Sequence, residues 1–229
     1  MFNKINRKKI LKHSVIEDRY PMLQPMKSFI PKWYKNAKKF ETEKISDKVT
    51  IKGCIPFLDS MITGYAISLS VDVLVSYEND SVLITWRDGS KNMVDTRSQS
   101  TMQNIPIPAG YDEQVFTWSV TTVFDVPQGY SALITHPLNR FDLPFITTSG
   151  IVDSGILFDG SLPFFIKKGF EGIIEKGTPI AQVIPFKRES WRLEKDDSLK
   201  ERAKEEKSIS QDIMVGWYKK NRWVMKNFE

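Results

Sequence analysis

Thiols and imidazoles, the commonest nucleophile and proton carrier, are scarce in this chain. There is one cysteine, Cys54, and there are two histidines, His13 and His136. A single thiol closes no disulfide within a chain, and so small a set of thiol and imidazole ligands argues against a structural zinc site. Cys54 sits in a short apolar run and reads as a small buried hydrophobe in a strand. His136 precedes Pro137 and reads as a hydrogen-bonding residue at a strand end. Residues 149–186, SGIVDSGILFDGSLPFFIKKGFEGIIEKGTPIAQVIPF, hold the other candidates. Asp153 stands before Ser154-Gly155, where a turn carboxylate accepts backbone amides. Gln182 reads as a strand amide that satisfies a neighbouring strand or subunit. Gly169, Gly172 and Gly177 permit tight reversals that other residues resist.

The elements that must position these residues are short. Residues 48–187 form the central domain, with β-type runs at 49–55, 65–76 and 81–87. Glu78-Asn79-Asp80 offers the reversal of a hairpin. Residues 88–114 are polar and turn-rich and read as an insertion. Further strands are predicted over 114–123, 131–135, 144–152, 163–167, 169–174 and 179–185. Many short strands with Gly and Pro punctuation predict an all-β barrel or sandwich.

Arms flank this centre. Residues 1–47 predict an extended N-terminal arm; within it YPMLQPMKSFIPKWY carries three prolines among aromatics. Residues 188–229 predict a charged helix over 193–210 and a basic, aromatic tail, GWYKKNRWVMKNFE. Tyr20, Phe29, Trp33 and Tyr34 in the first arm, and Trp217, Tyr218 and Trp223 in the second, are candidate interface anchors. Lys/Arg beside Trp/Tyr also suits single-stranded nucleic acid, although the basic clusters are few for a dedicated binder. The chain has 229 residues, 41% hydrophobic and 12% aromatic, enough for a buried core. A net charge of +5 and a pI near 9.1 allow an acidic partner without requiring one. No run approaches the roughly 18 apolar residues of a membrane helix, and no apolar stretch follows the basic N-terminus as a secretory signal requires. A soluble protein of a reducing compartment is expected.

Four stretches in order carry a resemblance. ITGYAISLSVDV (62–73), VPQGYSALITHP (126–137), SGIVDSG (149–155) and KGTPIAQVIPF (176–186) resemble motifs of the dUTPase and dCTP deaminase superfamily. That resemblance implies a β-clip barrel, usually trimeric. It makes Asp153 the counterpart of the water-activating carboxylate, keeps Gln182 in type, and offers Arg140 as a replacement phosphate contact. It also implies a Mg²⁺ site for the triphosphate. The rest departs from the pattern. Ile156 stands where the family has a stacking tyrosine, and Ala66 where an acid helps organise the metal. The segment His136-Pro137-Leu138-Asn139-Arg140 lacks the serine, and the C-terminus has no Gly-rich arm. No glutamate lies between Glu113 and Glu171 to serve a deaminase. The whole chain, with PMKSFIPKWY before the barrel and WYKKNRW after it, is similar to an uncharacterised family of tailed phages, which assigns no chemistry.

The expectation is therefore a non-catalytic β-clip protein, a homotrimer serving as a structural or assembly component of a phage particle (head decoration, neck or tail), with other phage structural proteins as partners. It would have no cofactor, and it would be found in the virion or in the host cytoplasm during infection. The alternative is a nucleotide-binding or pyrophosphatase-like protein using Mg²⁺, which requires Asp153 and Arg140 to converge on one subunit-interface pocket. A nucleic-acid-binding accessory is a third reading.

Overall fold

The computed structural model describes residues 9–16, 21–41, 49–87, 93–97, 101–102, 105–153, 160–212 and 216–229. The strands are β1 (Lys12–Val15), β2 (Gln24–Pro25), β3 (Tyr65–Ser68), β4 (Val73–Glu78), β5 (Ser81–Trp86), β6 (Val94–Arg97), β7 (Tyr111–Val120), β8 (Thr122–Asp125), β9 (Tyr130–Thr135), β10 (Phe145–Thr147), β11 (Gly150–Asp153), β12 (Gly160–Lys167), β13 (Gly172–Ile174) and β14 (Pro179–Lys187). The helices are α1 (Lys32–Asn36), α2 (Ile55–Ile62), α3 (Ser198–Asp212) and α4 (Trp217–Asn221). The architecture is mainly β, as predicted. The described strands form four antiparallel sheets: β1-β8, β10-β12-β7-β6, β11-β9-β14-β3-β2 and β13-β4-β5.

The β4–β5 hairpin follows directly from its sequence. Val73, Val75 and Val82 face inward while Leu74 and Leu83 face out, the period of two that a pleated strand imposes. Asn79 and Asp80 take φ of 49° and 61°, the left-handed pair that a two-residue hairpin loop needs. The core gathers around Trp118 of β7, which stacks on Phe164 of β12 at 3.7 Å between ring centroids and meets Phe145 of β10 edge-on at 5.1 Å. The Trp118 indole N–H donates to Thr147 Oγ1, which donates onward to the Ile180 carbonyl, so both of these buried side-chain groups are satisfied.

Several local predictions are corrected. Residues 49–55 are not a strand. Val49 makes one isolated bridge to Phe40, Ile51–Gly53 form a 3₁₀ turn capped by the Thr50 hydroxyl, and α2 follows. Pro56 explains the switch: in the first helical turn its missing N–H would have had no intrahelical partner anyway. Cys54 consequently lies exposed at the N-cap of α2, not buried in a strand. The polar insertion expected over 88–114 contains β6, hydrogen-bonded to β7, with Met93 and Val94 buried; β7 itself begins at Tyr111. Polar flanks concealed a core strand. The single strand expected at 144–152 divides into β10 and β11, which join different sheets.

The N-terminal arm is woven into the body. β1 pairs with β8, β2 pairs with β3, and α1 packs its aromatics on α2. The charged helix α3 starts after Asp196, whose carboxylate caps the Ser198 amide. No helix among the described residues is long and apolar enough to cross a membrane.

Candidate functional site

Three of the polar residues singled out by sequence, His136, Arg140 and Gln182, lie at or beside the loop that follows β9. Beyond Thr135 the chain enters the loop 136–143, and β14 runs alongside. Gln182 of β14 is 0% exposed. Its Oε1 accepts the Leu138 amide at 2.9 Å, and its Nε2 donates to the carbonyls of Ser60 (2.9 Å) and Thr63 (2.6 Å). The side chain thus ties β14, the end of α2 and the loop together, with both amide hydrogens engaged. Gly64 makes this approach possible. It takes φ of +75°, and a Cβ there would lie 2.1 Å from the Val183 carbonyl oxygen.

Arg140 is buried in the same loop. Its Nε and Nη2 donate to the two carboxylate oxygens of Asp142, each at 2.9 Å, and its Nη1 donates to the Phe29 carbonyl at 3.1 Å. This two-pronged pairing fills the guanidinium's best donor geometry. Burial alone would raise the Asp142 pKa, but the Arg140 hydrogen bonds and charge outweigh it, aided by the Trp33 indole N–H, and hold the carboxyl below its usual range. Asn139 takes φ of 61° and donates to Ser60 Oγ at 2.7 Å. His136 accepts the Thr147 amide at Nδ1 and so donates from Nε2 to the Arg140 carbonyl, both at 3.3 Å. Burial pushes its pKa down, keeping the ring neutral.

Asp153 lies elsewhere. It pairs across β9 with Ser131, whereas Gln182 pairs with Thr135. Those positions are four residues apart along β9, about 14 Å at strand rise. Asp153 Oδ1 accepts the buried Ser131 hydroxyl at 2.7 Å, with an Arg188 guanidinium nitrogen at 3.8 Å, and its side chain is 70% exposed. Within one chain, then, Arg140 and Gln182 come together and Asp153 stays apart. Ile156 and the turn expected at Ser154-Gly155 fall outside the described residues. Among the described residues no group of three or more His, Cys, Asp and Glu side chains is placed to hold a metal ion.

The expected interface anchors divide. Tyr34 is buried and stacks on Phe57 at 6.0 Å, so it anchors its own chain and is not available to a neighbour; burial raises its phenol pKa. Phe29 contributes its carbonyl to Arg140. Trp33 is partly exposed and donates to Asp142. Trp223 donates from its indole to Asp59 Oδ2 at 2.9 Å, and Lys226 donates to the same oxygen at 2.7 Å. Trp217 lies under the Arg222 guanidinium and Tyr218 is exposed. Tyr20 lies outside the described residues.

Sequence reading passed over four residues of consequence: Asp59, the buried carboxylate that holds the tail; Asn139 and Asp142, which shape the loop; and Phe141 at its tip. Asn139-Arg140-Phe141-Asp142 carries a turn signal, an Asn beside an Arg/Asp pair, that could have marked the loop as shaped.

No family model matches the chain, and no curated protein matches it. Among solved structures it is similar to phage dUTPases. A mutant dUTPase of Staphylococcus bacteriophage 80alpha aligns at 11% identity over 83% of this chain and 97% of that one, with a TM-score of 0.37. The dUTPase from phage phi11 of S. aureus aligns at 13% identity over 82% and 97%, with a TM-score of 0.36. The 80alpha dUTPase with dUPNHPP aligns at 13% identity over 83% and 89%, with a TM-score of 0.37. At these identities and TM-scores the likenesses carry neither fold nor chemistry to this chain, and the mainly β architecture rests on the strands described above.

Proposed function

We propose that this chain is a non-catalytic, dUTPase-like assembly component of a tailed-phage particle, working as a homotrimer with other phage structural proteins. The observation that carries the reading is the use made of the three residues that the resemblance singles out, two kept in type and Arg140 as a replacement. Gln182 spends its carbonyl and both amide hydrogens on backbone groups. Arg140 is closed onto Asp142 and the Phe29 carbonyl. Asp153 binds a serine hydroxyl some distance away. A hydrolase needs a base, a phosphate clamp and a water-positioning amide converging on one reacting atom. Here two of the three act as struts for one loop.

The test has two arms. The purified chain is titrated with a panel of nucleoside triphosphates in Mg²⁺ while pyrophosphate release is followed, and purified virions are searched for the chain by mass spectrometry. No release and presence in virions is the expected result. Pyrophosphate release abolished by Asp153→Asn, or absence from virions, overturns it. One feature favours the nucleotide-hydrolysing alternative: the exposed Asp153 carboxylate could face groups from a neighbouring copy. The release assay decides that case as well.

A further inference from the structure

The N-terminal arm carries its cations on a fixed frame. Residues 32–39 read KWYKNAKK, four lysines and no acid. Their backbone is fastened by residues 50–52. Lys52 Nζ donates to the Tyr34 and Lys35 carbonyls at 2.6 and 3.0 Å, and the Thr50 hydroxyl and amide donate to the Lys38 and Lys39 carbonyls. Tyr34, buried and stacked on Phe57, fixes α1 to α2. Lys32, Lys35, Lys38 and Lys39 are all exposed, and among the described residues none of the four pairs with a carboxylate; Lys39 lies over the Phe40 ring. Lys32 and Lys35 share one turn of α1, where like charges repel. The fold thus holds uncompensated charge in place.

Trp33 stands among these lysines. Its indole N–H donates to Asp142, and the ring meets Tyr34 and Phe57 edge-on at 5.7 and 6.3 Å, yet it is 39% exposed. An aromatic ring already held in place loses little freedom when a second ring stacks on it. The tail repeats this composition as WYKKN over 217–221 but uses it internally. Trp217 lies under Arg222, which pairs with Glu206; Trp223 lies under Lys219; and Lys226 pairs with Asp59.

We infer that residues 32–39 form a binding strip for single-stranded nucleic acid, with the four lysines on backbone phosphates and Trp33 as a stacking platform for a base. A polyanion answers the charge, and a polyanion bearing flat bases answers the ring as well. Lysine is a point charge without the fork that reads a base edge bidentately, so binding is indifferent to sequence.

Binding of the full chain to a fluorescently labelled oligothymidylate is followed by anisotropy across a salt series. Four phosphate contacts give an expected slope of log K against log salt of about −3. Lys35→Gln with Lys38→Gln should weaken binding by about tenfold or more at low salt and flatten the slope by about 1.4. Lys219→Gln with Lys220→Gln, the same loss of charge on the tail, should leave both unchanged. Trp33→Leu should weaken oligothymidylate binding by about fivefold or more and leave heparin, a polyanion without bases, unaffected. Circular dichroism and melting confirm that each variant folds. No binding, equal losses from the tail pair, or a Trp33→Leu chain that loses heparin as much as oligothymidylate overturns the inference. So does a chain that binds vesicles of phosphatidylcholine and phosphatidylserine but not the oligonucleotide, which makes the strip a membrane surface. Binding is independent of presence in virions and of pyrophosphate release, so this result and the assembly reading stand or fall separately.

Discussion

Gln182 shows how one strand amide can brace the backbone of its own chain. An amide in a strand next to a helix end and a loop has three polar groups within reach, and here it bonds all three. Both amide hydrogens and one of the two carbonyl lone pairs are thus engaged within the chain. Gln182→Ala would leave the Leu138 amide and the Ser60 and Thr63 carbonyls without this partner in a dry site. The expected cost is about 2–4 kcal/mol of folding stability, read from urea denaturation midpoints. Asp153→Asn, at an exposed edge, should stay within about 0.5 kcal/mol of wild type. Equal losses in the two variants would mean that the amide's bonds contribute little.

At the scale of elements, the C-terminal segment leaves the body as an exposed stretch. Most of the described side chains of α3 are exposed, and Trp191 before it is 88% exposed. Beyond them the tail returns to the body. Trp223 and Lys226 share one oxygen of Asp59, a buried carboxylate on α2, and Phe228 meets Tyr65 edge-on at 5.8 Å. Taking Lys226 away leaves a buried carboxylate with a single donor from the tail, so Lys226→Ala should cost about 1–3 kcal/mol. The pairing with Asp59 is measured by a double-mutant cycle with Asp59→Asn, monitored by thermal unfolding. A coupling energy near zero would show the tail to be held by packing alone.

Across the whole molecule, the braced loop and the aromatic core are one structure. His136 Nδ1 accepts the Thr147 amide, and the Thr147 hydroxyl links Trp118 to the Ile180 carbonyl. Protonating His136 removes that acceptor and charges a buried ring. Its folded pKa lies below the ordinary 6.5, so the unfolded chain binds the proton first. Stability from this group is therefore full above pH about 6.5 and falls as the pH drops toward the depressed folded value. Asp142 adds a second step. Its folded pKa also lies below its ordinary 3.8, so its contribution is present above that pH and is lost as acid brings it through the folded value. Denaturant midpoints measured from pH 7.5 to 3 should decline in these two windows, and His136→Gln should flatten the upper one. An unchanged upper slope in that variant would remove His136 from the account.

Local chemistry was enough to specify much of this protein. Alternating Val and Leu with an Asn-Asp reversal determined the β4–β5 hairpin, glycine and proline punctuation determined a mainly β centre, and the charge density after residue 193 determined a solvated helix. These signals are local, because backbone geometry and side-chain alternation act over a few residues. Pairing across the chain was decided only by the tertiary fold. Whether 93–97 was loop or strand depended on β7 lying beside it, and Tyr34 became an internal anchor because α2 presented Phe57. Asp153 was separated from Gln182 by the register of β9 with its two neighbours, and Arg140 was closed off by an Asp two residues away and a carbonyl from the N-terminal arm. Such outcomes turn on which distant groups reach a buried atom first, and spacing along the chain does not encode that competition.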